Sequence, residues 1–148
     1  MKFRWLRWIP VILWCALIFH ATASPAYTGK HTEQVVAEVL LSSPPAKVEL
    51  INIVIRKSTH VLIFGTLALL VWWALPSASS SRVFGWREAG AWLLATAYGA
   101  SDEWHQVFAP GRTPEVHDVL IDSAGALLAV AVPCLVRGTM HKRKGLAP

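Results

Sequence analysis

Charge is what this chain has least of. Asp, Glu, Lys and Arg make up only 16% of its 148 residues, against 54% hydrophobic residues and a mean hydropathy of +0.43. A soluble domain usually carries about a quarter charged residues, so the balance points away from that class. Cysteine is nearly absent. Cys15 and Cys134 are the only two, both lie inside apolar runs, and their expected levels in a bilayer differ. They read as small core residues rather than a disulfide. Proline is missing from Lys47–Leu75, where the only glycine is Gly65, so one long helix can form there. No His-Glu-x-x-His spacing and no Gly-x-Ser-x-Gly elbow occurs, which removes the zinc-peptidase and serine-hydrolase templates.

What is present is grease in blocks. Trp5–Phe19, Val61–Leu75, Ala89–Gly99 and Val119–Val136 stand out. With its polar ends each reaches roughly 18–22 residues, enough to cross a ~30 Å hydrocarbon core. The pattern predicts an all-α integral membrane protein, with four transmembrane helices in a compact bundle at about 5–22, 47–75, 86–108 and 114–136. A basic tail, 137–148, completes a single domain. The net charge of +5 is gathered at block ends, in Lys2, Arg4 and Arg7, in Arg82 and Arg87, and in Arg137, Lys142, Arg143 and Lys144. No basic groove interleaved with aromatics is visible, which argues against nucleic acid. Charges placed this way orient helices in a membrane.

Residues 1–23 combine a positive start, an apolar run and Ala21-Thr22-Ala23, as a signal peptide would. Pro10, Trp14 and His20 are unusual for such a segment, and a retained first helix is favoured. Thr32–Leu41 has an amphipathic pattern that predicts a short interfacial helix in the first outer loop, ended by Ser42-Ser43-Pro44-Pro45. Trp72, Trp73 and Trp86 form an aromatic belt. Thr113-Pro114-Glu115 reads as the capped start of the last helix, after an Ala109-Pro110-Gly111-Arg112 turn. With the N-terminus inside, nine of the fourteen Lys and Arg fall on the cytoplasmic side. The expectation is a multi-pass protein of the bacterial inner membrane with both termini cytoplasmic.

Against this background, Ala100–Leu128 is the odd stretch. It holds five of the nine carboxylates and two of the six histidines. Counted from the inner ends of their helices, His20, His60, Asp102 and Asp122 all lie roughly 22–24 Å deep at 1.5 Å per residue. Four helices thus contribute to one polar layer in the outer third of the membrane, where an unpaired charge costs at least ~2.5 kcal/mol.

Three uses of the layer compete. Arg56, Lys57 and Arg112 can grip an anionic group, with Gln106, Asp118 and Asp122 completing the binding set. Asp102 or Glu103 can work with His60 or His105 as a general acid–base pair. A divalent metal is the weakest of the three, because Glu103-Trp104-His105 and His117-Asp118 lack the His-Glu-x-x-His spacing and no cysteine joins them. Beside all three stands a purely structural network, with pairs such as Arg56–Asp102 or His60–Asp122 locking the bundle.

Taken together, Arg56-Lys57-x-x-His60, Asp102-Glu103-x-His105-Gln106-x-x-x-Pro110-Gly111-Arg112 and Asp118-x-x-x-Asp122-x-x-Gly125 resemble the VanZ-like membrane proteins. The resemblance spans about half of the chain, and its ordered combination is specific where each piece alone is weak. It implies a small integral protein of the bacterial cell envelope, in a family whose namesake is associated with teicoplanin resistance. It implies no cofactor and no defined reaction, and family membership is wider than that phenotype. One departure stands out: Ile63 and Phe64 occupy positions where the family often has an acidic residue and a tyrosine. The function expected is binding or processing of an anionic lipid-linked or cell-wall ligand. The alternative is a non-catalytic membrane module that acts through partners.

Overall fold

The computed structural model describes residues 4–24, 28–41, 43–76, 84–108 and 115–144, without the side chains of Arg4 and 136–144. A short 3-10 turn, Arg4–Arg7, leads into α1 (Trp8–Ala23). The remaining helices are α2 (Gly29–Val39), α3 (Pro45–Ala74), α4 (Trp86–Gln106) and α5 (Val116–Lys144). Local chemistry sets their starts. Thr28 accepts the His31 N–H at the head of α2, and a proline opens α3, where its missing N–H costs nothing. Glu88 accepts the Gly85 N–H at 3.0 Å at the start of α4.

Three helices, not four, are long and apolar enough to cross a membrane among the described residues: Trp5–Ala23, Pro45–Ala74 and Val116–Leu135. The expectation of four transmembrane helices is therefore corrected. The expected third span corresponds to α4, whose 21 residues suffice in length. Its composition does not suffice, because Arg87, Glu88, Asp102 and Glu103 flank a centre rich in alanine and glycine. α4 packs instead against both α3 and α5.

Other expectations shift less. The short helix expected over Thr32–Leu41 runs from Gly29 to Val39. Residues 137–144, expected as a tail, continue α5. Pro110, Gly111, Arg112, Thr113 and Pro114 lie outside the described residues.

The core lies where the helices meet. Phe64, Leu67, Ala68 and Val71 share one face of α3, at the three- and four-residue spacing of a helical stripe. They pack on Ala91 and Ala95 of α4, Ala126 and Val130 of α5, and Val11 and Ile18 of α1. Small residues bring the helices close. A Cβ on Gly125 would lie 2.8 Å from both Cα and O of Val61, so α3 and α5 cross in backbone contact. The outside is as apolar as the inside, with Leu62, Leu93, Leu120, Leu128 and Val132 all exposed. Such a surface suits hydrocarbon rather than water. The protein is a multi-pass, all-α membrane protein.

Helix direction is fixed by contacts at one end. The Arg7 guanidinium sits 5.4 Å over the Trp73 ring, that of Arg87 lies 4.0 Å over Trp72, and Trp72 Nε1 donates to Glu88 at 2.9 Å. The start of α1, the end of α3 and the start of α4 therefore share that end. The polar stretch lies at the other.

Candidate functional site

At that other end, four helices contribute side chains because each reaches it with its polar terminus or, in α3, with a polar interruption of the apolar run. α1 supplies Thr22, α3 supplies Arg56, Lys57 and His60, α4 supplies Asp102, Glu103 and Gln106, and α5 supplies Asp118 and Asp122. Four-residue spacing stacks Asp102 with Gln106, Asp118 with Asp122 and Arg56 with His60 on single helix faces.

His60 is the hub. Its Nδ1 shares a 2.8 Å hydrogen bond with Asp122 Oδ1, and its Nε2 lies 3.9 Å from Asp118 Oδ2. Asp122 is 1% exposed. A carboxylate on one ring nitrogen fixes the tautomer and the ring orientation and leaves the other nitrogen for chemistry. Asp118 is shared more widely. Lys57 donates to its Oδ1, and the Arg56 guanidinium stands 4.0 Å from its Oδ2. Lys57 also lies 3.8 Å from Glu115.

Asp102 belongs to a second knot. Thr22 donates to its Oδ1 at 2.8 Å, and the Gln106 amide donates to its Oδ2 at 3.1 Å. Charge-assisted bonds of this kind satisfy a buried carboxylate. Glu103 has a local task, accepting the Glu115 backbone N–H at 2.5 Å where the chain enters α5. Burial pushes its carboxyl above the usual carboxylate range, and that N–H partly offsets the shift.

The acid–base candidates therefore separate. His60 meets Asp122 and Asp118 directly. His105 lies apart, its ring 4.1 Å from that of Phe19, and its buried Nδ1 has no hydrogen-bond partner among the described residues. His20, placed in the layer by the depth count, is exposed, and α1 contributes Thr22 instead. A threonine in the last turn of a helix, as Thr22 is in α1, carries no signal of such a role in a sequence. Arg112 lies outside the described residues.

Charge is sorted by depth. Of the four buried carboxylates, Asp118 and Asp122 meet the basic side chains of Arg56, Lys57 and His60, while Asp102 and Glu103 accept from Thr22, Gln106 and the Glu115 N–H. Arg56 and Lys57 are accessible, with side chains 31% and 30% exposed, as is Glu115 at 52%, against 7% and 2% for Asp118 and Asp122. The rim carries two cations and one carboxylate, Glu115, and the floor is acidic. No group of three or more His, Cys, Asp and Glu side chains among the described residues is arranged to hold a metal ion.

Comparison with known proteins gives one match. No curated protein and no solved structure shows significant similarity to the chain. A family model described as VanZ/LLP1 matches residues 7–137, nearly the whole length, and every residue of the polar cluster falls within the match. The chain belongs to the VanZ/LLP1 family.

Proposed function

We propose that the polar end of the bundle binds an anionic lipid-linked or cell-wall ligand at the extracytoplasmic leaflet of the bacterial inner membrane. The observation that supports this best is the sorting of charge by depth. An arriving ligand meets the Arg56 guanidinium and the Lys57 ammonium, with the exposed Glu115 carboxylate beside Lys57, before the buried Asp118 and Asp122. A guanidinium is the better donor of the two for a phosphate or carboxylate, because its planar fork offers two parallel N–H groups. The leaflet is assigned from charge. Lys2, Arg4 and Arg7 precede α1 and hold that end in the cytoplasm, so the polar end faces outward. α4 runs from the tryptophan end to the polar end within the bundle although it lacks the apolarity of a span, so α5 returns toward the tryptophan end, which supports a cytoplasmic position for both termini.

In an enzymatic form of this function, His60 is the acid–base group and Asp122 orients it. Asp102 and Glu103 are the remaining carboxylate candidates, and His105 is the more distant one. Asp102→Asn is then expected to leave the helical fold intact and abolish the cellular phenotype of the protein.

Binding has its own test. Anionic envelope lipids added to the detergent-purified protein should raise its unfolding temperature. Arg56→Gln should remove at least about half of that rise, and Arg112→Ala should reduce it as well. Equal protection of wild type and Arg56→Gln would sink the site. A second reading has an observation of its own, since the same hydrogen bonds tie α1, α3, α4 and α5 together. In that reading the protein is a non-catalytic module acting through partners. Equal losses of expression for Asp102→Asn and His60→Ala would favour it.

A further inference from the structure

Between α1 and α3 runs a cavity of about 450 Å3. Its walls change character along its length. At one end stand Trp14 and Leu17 of α1 and Ile63 and Phe64 of α3, and at the other Arg56 and His60 reach into it. Trp14 Nε1 donates to the Ile63 carbonyl at 3.1 Å and closes the apolar end. The distance from Trp14 to Thr22, which lines the polar end, is roughly 12 Å at 1.5 Å per residue. No carboxylate is among the described residues that line it. The acidic groups on α4 and α5 stand just outside it, Asp118 Oδ2 at 4.0 Å from the Arg56 guanidinium and 3.9 Å from His60 Nε2, and Asp102 bonded to Thr22.

We infer that this cavity holds the hydrocarbon chain of a single-chain phosphate lipid, with the phosphate against Arg56 and His60. The inference rests on the proposed function and specifies its ligand. Volume sets the chain number. A protein cavity of about 150 Å3 takes one benzene ring, so this one holds on the order of eighteen carbons, a single chain rather than two. Charge sets the headgroup. Among the described residues that line the cavity the only ionisable side chains are the Arg56 guanidinium, which complements an anion, and the His60 imidazole, which can donate to one. The Arg56 fork has its nearest described carboxylate 4.0 Å away, which leaves its N–H groups room for phosphate oxygens. Burial of the chain against Trp14, Leu17, Ile63 and Phe64 orients the ligand with its head at the polar cluster.

The experiment uses the full-length protein in detergent with farnesyl phosphate, inorganic phosphate and dioleoyl phosphatidic acid as probes. Farnesyl phosphate is expected to raise the unfolding temperature by several degrees, and the other two by less than about a third as much. Ala21→Trp, which fills the cavity from α1, should abolish the farnesyl phosphate shift, as should Arg56→Gln. A full shift in Ala21→Trp with a lost shift in Arg56→Gln overturns the chain-binding cavity and leaves the headgroup site standing. Full shifts in both variants overturn the headgroup site too. An equal shift with phosphatidic acid overturns the single-chain assignment. If Ala21→Trp fails to fold, the wild type decides. A bromine-labelled prenyl phosphate should quench the portion of tryptophan emission that Trp14→Phe removes, and quenching that survives Trp14→Phe unchanged overturns the inference.

Discussion

His60 and Asp122 sit where two long helices meet, and the cost of separating them is the most direct measure of what the polar cluster does for stability. Asp122 is 1% exposed, and its 2.8 Å bond to His60 is the contact that offsets its burial. Removing one partner of a buried pair strands the other. In water-soluble proteins that costs about 3–5 kcal/mol, while interhelical hydrogen bonds in membranes average only ~0.6 kcal/mol. A carboxylate is charged, so the present case belongs between these limits. His60→Ala should lower stability by about 2 kcal/mol. The His60→Ala/Asp122→Ala pair should show a coupling above about 1 kcal/mol in a double-mutant cycle measured by unfolding in detergent. Additive losses would mean that the two side chains are neighbours only. At this scale the sequence was partly legible. The spacing of Asp118, Asp122, Arg56 and His60 already put them on single faces, but it left open which acid would meet which base. Arg56 faces Asp118 rather than Asp102, because pairing across helices depends on rotation about each axis, which no local pattern encodes.

Among the elements, α3 and α5 carry the bundle, and Gly125 sets how near they come. An alanine methyl there would stand 2.8 Å from two backbone atoms of Val61, which cannot swing aside as a side chain would. Gly125→Ala should therefore destabilise by about 1–3 kcal/mol, the usual cost of overpacking. Gly90 is the control. The nearest atom to its added methyl would be Leu75 Cδ1 at 3.4 Å, an ordinary contact, and alanine is the better helix former. Gly90→Ala should be neutral or stabilising by up to about 1 kcal/mol, read from the same melts. The hydropathy blocks marked where four of the helices lie, though only three of them are apolar enough to span, and the short α2 was legible from its amphipathic pattern. The character of α4 was misjudged, because its length suggested a span while its alanines, glycines and four charged residues supply too little hydrophobicity. Such a helix is stable by lying against α3 and α5, a tertiary fact.

For the whole molecule the open quantity is its orientation in the membrane. The tryptophan and arginine contacts at one end and the buried acids at the other make the bundle polar end to end. With Lys2, Arg4 and Arg7 inside, a reporter fused after Gly111 should read out as extracytoplasmic. A cytoplasmic signal at that position would reverse the proposed leaflet. Charge placement made this expectation readable before any helix was placed, because the basic residues at block ends do not depend on how the helices pack.

One feature at the α3–α5 crossing reaches further than its packing. Val61 follows His60 directly, and Gly125 lies one turn beyond Asp122, so the point where the two backbones touch is beside the imidazole–carboxylate pair. A touching point acts as a fulcrum. When α3 and α5 rock against each other, groups next to the fulcrum keep their separation while the far ends of the helices swing widely. Because Val61 lies near the middle of α3, such rocking would move both ends of that helix while the geometry around His60 is held constant.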